Sequence, residues 1–357
     1  MKRASYQTLA GLLLCGLFGF SATGFGAWRD LEPIPTGRWG LAAAAVGDTV
    51  YAIAGQDDSP KISKVEAFDI AKGKWEESKE IPQGRVRHAA VTFRGKIYVF
   101  GGSFDGIAAL GSVQEYDPKN NTWTNKADMP TPRIAPMTVA MSSNIYVIGG
   151  ATDLYFPSPV IEAYNPTTDT WEKKVDMPNP RWGAAAAGIA TKGKIYIFGG
   201  ATDFTHENST TDVDEYDVRT ETWTAKKKLQ RPLHNFSASF VNSGKIYVMG
   251  GQKWKGKGGV DGGVNDPDWT FYDDVWEYSP EKDEWDRMGA RMPKAKSSYG
   301  HTVANGKIYV AAGWAGGAGD ENRFHVYQPP GWPFPDKFSV EPQNKLATIW
   351  GEIKQRQ

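Results

Sequence analysis

The sequence predicts an all-β protein built from six copies of one four-stranded antiparallel unit. Three observations support this prediction: a glycine-containing motif that occurs six times, an aromatic residue and a tryptophan that follow it at a fixed distance, and a turn-rich composition. The 357 residues include 40 glycines and 22 prolines, and 13% are aromatic. Turn formers and strand formers are both abundant, which is typical of short strands joined by tight turns.

The glycine motif is a short apolar strand, written KIYVFGG in one of its copies. In every copy a tyrosine stands four residues before the last glycine. The six pairs are Tyr51–Gly55, Tyr98–Gly102, Tyr146–Gly150, Tyr196–Gly200, Tyr247–Gly251 and Tyr309–Gly313. A period of about 50 residues indicates a supersecondary unit that stacks against copies of itself.

Two further strands follow the motif. In five repeats an aromatic residue precedes a tryptophan by seven positions, and Asp, Asn, Pro and Thr fill the interval. These residue types are typical of the turn in a β-hairpin, so the pattern predicts a third and a fourth strand joined by that turn. The five pairs are Phe68–Trp75, Tyr116–Trp123, Tyr164–Trp171, Tyr216–Trp223 and Tyr278–Trp285.

The remaining strand precedes the motif and is built from small residues, as in RWGLAAAAV (38–46) and RWGAAAAG (181–188). Alanine runs usually favour helix. These runs occupy one fixed place in a strand-period repeat, next to turn residues, so we predict strands. A strand beside a crowded central axis has room only for small side chains.

The combined pattern resembles the kelch family of β-propellers, whose repeat carries a glycine doublet, a tyrosine and a tryptophan at these separations. The resemblance covers residues 28 to about 328 and implies a six-bladed propeller of four-stranded antiparallel blades. Trp28 lies 27 residues before Gly55, as Trp75 lies 27 before Gly102. Because prolines follow Tyr327 and forbid a paired strand there, we expect a strand near Trp28 to complete blade six.

The two ends of the chain are predicted to lie outside the propeller at 27–328. Residues 1–26 have a basic start, an apolar run and a small-residue end, which are the parts of a secretory signal peptide. We therefore expect a secreted protein, periplasmic or extracellular, with no membrane span after cleavage; an uncleaved anchor is the alternative. Residues 329–357 form a proline-rich C-terminal tail.

Charge and cysteine content exclude several classes of function. Lys plus Arg and Asp plus Glu both number 41, so no net field favours nucleic acid. The single cysteine, Cys15, lies in the export segment. Kelch-type copper oxidases use a tyrosine crosslinked to cysteine, and that class is therefore excluded. The five histidines show no metal-ligand spacing, and no phosphate loop or nucleophile elbow is present. We expect no catalytic residues, no metal and no cofactor.

Two sets of loops are expected to ring one mouth of the central channel. The first carries a Pro-x-x-Arg pattern, in which Leu233 replaces the arginine in blade five and Lys296 replaces it in blade six. Its arginines either tie blades together or form a cationic collar for carboxylates. The second carries an aspartate three residues after the last glycine, which either caps its own turn or binds sugar hydroxyls or a cation. The candidates are Arg38, Arg85, Arg133 and Arg181, and Asp58, Asp105, Asp153 and Asp203.

Positions that vary between blades are better candidates for recognition, because the fold does not require them to be alike. Those that follow the arginine position are Trp39, Arg87, Trp182, His234 and Asn235. Blade five also carries about 13 extra residues after its motif, a loop predicted to cover the mouth and meet a partner. Trp254 in that loop and Trp314 after the sixth motif complete the candidate ligand-binding set.

The predicted function is that of a non-catalytic binding module for a protein segment or a glycan at the mouth of the channel. Aromatic residues would supply stacking area and arginines would orient an anionic group. The alternative is a carbohydrate-active enzyme similar to the exported kelch-type sialic-acid mutarotases (N-acetylneuraminate epimerases), which needs a general acid and base. An intracellular ubiquitin-ligase adaptor built of kelch repeats is disfavoured by the export signal.

Overall fold

The computed structural model describes residues 26–57, 63–205, 207–241, 243–255, 268–316 and 321–330. In these ranges the chain forms six four-stranded antiparallel sheets and one extra two-stranded hairpin. Two short 3-10 helices, Asp153–Tyr155 and Ala190–Lys192, are the helical segments of the described chain. None of these helices is long and apolar enough to cross a membrane. The predicted six-bladed all-β fold is confirmed.

Each blade is a sheet of four strands, and the strands are ordered from the channel to the outer edge. The inner strands are β2 (Ala42–Val46), β6 (Ala89–Phe93), β10 (Met137–Ala140), β14 (Ala185–Ile189), β18 (Ser237–Val241) and β24 (Gly300–Ala304). The second strands are β3 (Thr49–Ile53), β7 (Lys96–Phe100), β11 (Ile145–Ile148), β15 (Lys194–Phe198), β19 (Lys245–Met249) and β25 (Lys307–Ala311). The inner strands of neighbouring blades contact one another around a closed ring.

The outer half of each blade holds the aromatic and tryptophan strands. The third strands are β4 (Val65–Asp69), β8 (Val113–Asp117), β12 (Ile161–Asn165), β16 (Val213–Asp217), β22 (Val275–Ser279) and β26 (Phe324–Gln328). The fourth strands are β5 (Lys74–Ser78), β9 (Thr122–Lys126), β13 (Thr170–Lys173), β17 (Thr222–Lys226), β23 (Glu284–Arg287) and β1 (Ala27–Leu31). The extra hairpin belongs to blade five and pairs β20 (Gln252–Trp254) with β21 (Trp269–Phe271).

Blade six is closed by the first strand of the described chain, as the sequence predicts. Strand β1 pairs antiparallel with β26, and Trp28 lies opposite Tyr327 with ring centroids 5.0 Å apart. This register matches the tryptophan–tyrosine pairing of the other blades, for example Trp123 opposite Tyr116. The pairing covers an edge of the last sheet that would otherwise be open.

A ring of backbone hydrogen bonds joins the blades near the channel. The last glycine of each motif donates its N–H to the carbonyl of the arginine-position residue in the next blade, at 2.8–3.1 Å. The last of these bonds runs from Gly313 to Arg38 and joins the final repeat to the first. These glycines have φ between 87° and 115°, and a Cβ on Gly102 would lie 2.7 Å from the Val86 carbonyl oxygen. The last glycine is therefore required by the close approach of backbone from its own blade, whereas Ala54 and Ala312 replace the first glycine in blades one and six.

The tryptophans of the outer strands pack between blades, and in blades one, two, three and five the indole N–H hydrogen-bonds to the preceding blade. The indole N–H groups of Trp28 and Trp223 have no partner in the described structure. The indole N–H of Trp123 donates to the carbonyl of Lys79 at 2.9 Å, and that of Trp171 donates to Ala127 at the same distance. Trp75 and Trp285 make the corresponding bonds to Glu32 and Lys227. Each of these hydrogen-bonded tryptophans thus stabilises both its own blade and the interface beside it.

Blade four departs from this arrangement at one residue. In blades two, three and five an Asn or Asp with positive φ stands two residues before the tryptophan and accepts hydrogen bonds from the tyrosine hydroxyl and from a backbone N–H of the preceding blade. Blade four has Glu221 there, and its carboxylate extends to Lys174 Nζ instead. The hydroxyl of Tyr216 and the indole N–H of Trp223 are buried without a hydrogen-bond partner.

We predict that Glu221→Asn raises the free energy of unfolding by about 1 kcal/mol, because it supplies the missing acceptor and suits the left-handed backbone. The lost ion pair with Lys174 is part-exposed and contributes little. Chemical denaturation measures the change, and Asn121→Ala in blade two is the matched control that should lower stability. A Glu221→Asn protein no more stable than wild type would contradict this explanation of the blade-four contacts.

The channel is lined by small side chains, as predicted for strands beside the axis. The residues at its wall in successive blades are Ala43, Ala90, Thr138, Ala186, Ala238 and His301. His301 in blade six is the exception in this ring, and burial lowers its pKa to about 4. Small side chains at five of the six positions therefore allow the inner strands of the blades to approach one another around the axis.

His88 lies just before an inner strand and is buried between blades one and two. Its exposed fraction is 6%, and burial, together with the charges of Arg85 and Arg38, lowers its pKa to about 3. The same position in blade one holds Leu41, whose Cβ lies against Gly55 as that of His88 lies against Gly102. The fold therefore uses His88 as a neutral packing group.

An imidazole that stays neutral in the fold but protonates in the unfolded chain makes stability fall as the pH drops from about 6.5 toward 3. Each pH unit in that window contributes about 1.4 kcal/mol per such group. We expect wild type to lose about 1.5–2 kcal/mol more than His88→Leu does between pH 7 and pH 5. Urea unfolding of both proteins at the two pH values measures this, and equal losses would show that His88 is not held neutral.

Candidate functional site

The four arginines of the predicted cationic collar lie inside the blades. Arg38, Arg85, Arg133 and Arg181 are all 0% exposed. Arg38, Arg133 and Arg181 pair with the carboxylates of Glu66, Glu162 and Asp214 on the third strands of their own blades. Arg85 donates instead to the Gln114 side chain at 2.8 Å and to the Gly101 carbonyl at 3.0 Å.

This placement corrects the collar interpretation. A guanidinium that is fully buried and paired with a carboxylate or carbonyls in its own blade is a scaffold group, and a ligand at the mouth cannot touch it while the blade is intact. The alternative interpretation, a structural tie, agrees with the geometry, although the side chains tie strands within a blade and only the backbone carbonyls join neighbouring blades. The four arginines therefore leave the candidate site.

The aspartates of the second loop set mainly hold their own loops. Asp105 accepts hydrogen bonds from the N–H groups of Ala108 and Ile107 and from the Ser103 hydroxyl, which lowers its pKa to about 2. Asp203 caps its turn through the N–H of Thr205 and the Asn208 side chain. Asp153 accepts the N–H of Ala109 from blade two at 2.7 Å. Asp58 lies outside the described residues.

Trp182 and His234, two of the variable candidates, form the floor beneath the mouth loops. Both are 0% exposed. The indole N–H of Trp182 donates to the Asp203 carbonyl at 2.8 Å, and the His234 ring lies 2.8 Å from the Ser209 hydroxyl and 3.1 Å from the Gln252 amide. These side chains support the loops, and a ligand above them would not reach them directly.

Arg87 is the candidate that the structure places at the mouth with an available charge. It is half-buried, and its guanidinium carbon lies 5.4 Å from the Trp39 ring centroid and 4.9 Å from that of Tyr155. In the part of the chain that the structure describes, no ion pair involves Arg87. A cation held between two aromatic faces keeps a fixed direction and retains its N–H donors for a carboxylate.

Arg87 belongs to a ring of six left-handed residues that surrounds the opening. Their φ values lie between 47° and 62°, and four of the six are not glycine, which is uncommon. Hydrogen bonds of 2.7–3.1 Å link their backbones at five of the six junctions between neighbouring blades. The six residues are Gly40, Arg87, Ala135, Gly183, Asn235 and Ser298.

Below this ring the channel opens into a cavity of about 200 Å³. The polar side chains of its wall are Arg87, His88, Thr138, Asn235, Ser298, Tyr299 and His301. No carboxylate is among the described residues of this wall, and the described chain contains no cluster of three potential metal ligands. The candidate residue Asn235 lies at the same opening, three blades away from Arg87, and its part in ligand binding stays a prediction.

The sequence analysis missed an apolar surface on the loops of blades two to four. Five large apolar side chains there are 47–60% exposed. We call this surface the apolar rim, and it consists of Phe104, Ile107, Leu154, Phe156 and Phe204. Soluble proteins seldom expose several such groups side by side, and a grouped set marks an interaction surface.

The three loops of the apolar rim are joined to one another. The Tyr155 hydroxyl donates to the Gly106 carbonyl at 2.7 Å, and the rings of Phe156 and Phe204 lie 5.6 Å apart. Leu154 and Tyr155 adopt φ of 57° and 61°, a left-handed backbone that costs about 1 kcal/mol or more per residue. Tyr155 also contacts Arg87, so the rim and the charged position form one surface.

The hairpin of blade five brings the remaining aromatic candidates together. Trp269 lies 6.4 Å from Trp254, 5.5 Å from Trp314 and 5.7 Å from the His234 ring. Trp254 is only 6% exposed, so it contributes packing, while Trp314 and Trp269 are half-buried. Residues 256–267 of the insertion lie outside the described part of the chain.

Comparison with known proteins identifies the repeat family but covers little of any curated relative. Kelch-like protein 40 of Xenopus laevis is 36% identical over 75 residues, 21% of this chain and 12% of its own length. Kelch-like protein 41 of Homo sapiens is 31% identical over 80 residues, 22% of this chain and 13% of its own. The chain thus matches about an eighth of these proteins, and their whole-protein activities do not transfer to it.

A solved structure and a family description cover far more of the chain. The protein described in "Structure of YjhT" aligns with a TM-score of 0.69 over 83% of this chain and 96% of its own, at 19% identity, which shows a shared fold. The Attractin/LZTR1 beta-propeller family matches residues 50–321. The protein therefore belongs to the Attractin/LZTR1 beta-propeller family and is a kelch-repeat propeller.

Proposed function

We propose that this propeller is a non-catalytic binding module that recognises a protein segment carrying apolar side chains and a carboxylate. The observation that carries the proposal is the apolar rim beside Arg87. Its five side chains are about half exposed. The Arg87 guanidinium contacts the ring of Tyr155, which belongs to the same loop as Leu154 and Phe156. A segment that covers the rim and extends a carboxylate to Arg87 satisfies both features.

Burial of the rim provides the main part of the binding free energy. Covering a Phe, Leu or Ile side chain fully contributes roughly 1.5–3 kcal/mol, and these side chains are about half covered already. The loops are joined by hydrogen bonds and ring contacts before any partner arrives. A preformed surface loses little conformational entropy on binding, so more of that free energy appears as affinity.

Arg87 supplies direction and selectivity. Its guanidinium is held between the rings of Trp39 and Tyr155, and a planar guanidinium can donate two parallel hydrogen bonds to one carboxylate. A partner without the acidic group leaves these donors to water. The partner is therefore expected to combine apolar residues with Asp, Glu or a chain terminus.

The chemistry of the rim favours a protein segment over a glycan. Glycans bind through stacking on flat aromatic faces combined with polar groups for their hydroxyls. The rim includes the aliphatic Ile107 and Leu154, and the nearby aspartates Asp105 and Asp203 already accept hydrogen bonds from their own turns. With the predicted signal peptide, we place this binding outside the cytoplasm.

The alternative function, a sialic-acid mutarotase, would use the cavity below the ring. Arg87 would bind the sugar carboxylate there, and the acid and base would have to come from His88, His301 or Tyr299 of the cavity wall. Burial lowers the pKa of His88 to about 3 and that of His301 to about 4, so both are neutral at pH 7 and neither can donate a proton as imidazolium. Burial also raises the pKa of Tyr299, which makes its hydroxyl a weaker acid than usual. We therefore favour binding without catalysis.

The binding proposal predicts what a random peptide library displayed on phage selects against the purified protein. Selected peptides should be rich in apolar residues and contain Asp or Glu. Their affinity should fall about tenfold or more with Phe156→Ser and with Arg87→Ala, as loss of one buried apolar group or one charge-assisted hydrogen bond implies. Fluorescence anisotropy with the selected peptides measures the changes.

Val175→Ser is the matched control, because Val175 is 47% exposed but lies outside the rim. This variant should bind selected peptides as wild type does, and circular dichroism should show that all three variants fold. Peptides that bind Phe156→Ser and Arg87→Ala at full strength would place the binding surface elsewhere.

The mutarotase alternative has a direct test. NMR exchange spectroscopy on N-acetylneuraminate measures how fast its two anomers interconvert. We expect the same rate with and without the protein, since the cavity lacks a charged acid–base pair. An acceleration that disappears with Arg87→Ala would establish the enzyme and overturn the non-catalytic assignment.

A further inference from the structure

Blade six differs from the other blades at one buried pair of positions. In each blade, the residue at the arginine position faces the second residue of the third strand. Blades one, three and four pair an arginine with a carboxylate there, blade two pairs Arg85 with the neutral Gln114, and blade five has Leu233 with Trp276. Blade six has Lys296, and the register of its third strand places His325 at the position of these partners.

Lys296 and His325 are both buried, and both have an unused polar atom. Lys296 is 0% exposed and His325 is 2% exposed. Neither Lys296 Nζ nor His325 Nε2 has a hydrogen-bond partner in the described structure. A lysine lacks the two terminal nitrogens of an arginine, so we expect a gap between Lys296 Nζ and His325 Nε2 where blade one has a direct contact.

The charges around the gap are mostly positive. The Glu321 carboxylate is close enough to Lys296 to act on its pKa, but its oxygens already contact Lys294 at 2.8 Å and Arg323 at 3.2 Å. Asp30 on β1 is 83% exposed and contacts the other ring nitrogen, His325 Nδ1, at 2.8 Å. Among the described residues, no carboxylate therefore contacts the charged Nζ of Lys296.

We propose that blade six binds a small monovalent inorganic anion, of the size of chloride, between Lys296 Nζ and His325 Nε2. A buried ammonium needs a counter-charge, because burial without one is unfavourable by several kcal/mol. Burial lowers the pKa of Lys296 to about 8, so the side chain still carries its charge at pH 7. A water molecule would satisfy its hydrogen bonds but would leave that charge uncompensated.

The state of His325 couples this site to pH. With Nδ1 donating to Asp30, the neutral ring presents a lone pair at Nε2, which repels an anion. Protonation turns Nε2 into a donor, and the imidazolium is then stabilised by Asp30 on one side and by the anion on the other. Burial and the charge of Lys296 lower the pKa of His325. A bound anion offsets the charge of Lys296 and so raises the pKa of His325 again. Binding therefore takes up a proton and strengthens as the pH falls.

The test is thermal unfolding of the full chain in sodium chloride and in sodium gluconate at equal ionic strength. Chloride should raise the unfolding temperature by about 2 °C or more once its concentration exceeds the dissociation constant about tenfold. The rise should be larger at pH 6 than at pH 8. His325→Glu, which recreates the pair of blades one and three, should fold stably and lose the chloride response.

Two further variants separate this site from general salt effects. Lys296→Met removes the charge and should also lose the response, so the test does not depend on one variant folding. Lys192→Gln changes an exposed lysine, 47% exposed, and should keep it. Equal unfolding temperatures in the two salts for wild type would mean that the gap binds water only, and a response retained in His325→Glu would place the anion elsewhere; either result overturns the proposal.

Discussion

The structure depends on one repeated contact, the hydrogen bond from the last glycine of each motif to a carbonyl of the next blade. It requires positive φ and no Cβ, as Gly102 shows, so the glycine persists while its neighbours vary. The sixth bond, from Gly313 to Arg38, joins the two ends of the propeller near the axis. The pairing of β1 with β26 joins them again at the outer edge.

Closure determines which side chains can take part in recognition. With the blades fixed, the loops of blades two to four lie close enough for Tyr155 to contact both Gly106 and Arg87. The backbone of Leu154 and Tyr155 is held in an unfavourable conformation there, which such a scaffold can maintain. Buried arginines such as Arg133 stabilise the blades, and recognition falls to residues that differ from blade to blade.

The repeat pattern was sufficient to predict the six blades, the four strands in each and the closing role of Trp28, because these follow from residue spacing. The Pro-x-x-Arg pattern left two interpretations, and only the position of Glu66 and its equivalents shows that the arginines point into the blades. The apolar rim was missed because loops of different length place Phe156 and Phe204 together only after folding. Their signal was visible, since an aromatic or aliphatic residue adjoins the aspartate in each loop.

Amide hydrogen–deuterium exchange followed by mass spectrometry tests the closed ring most directly. If residues 27–31 complete blade six, their amides should exchange as slowly as those of the outer strands in blades two to four. Exchange of this segment at the rate of an unstructured peptide, with the other outer strands still protected, would show that the propeller is open and that its mouth is not the surface described.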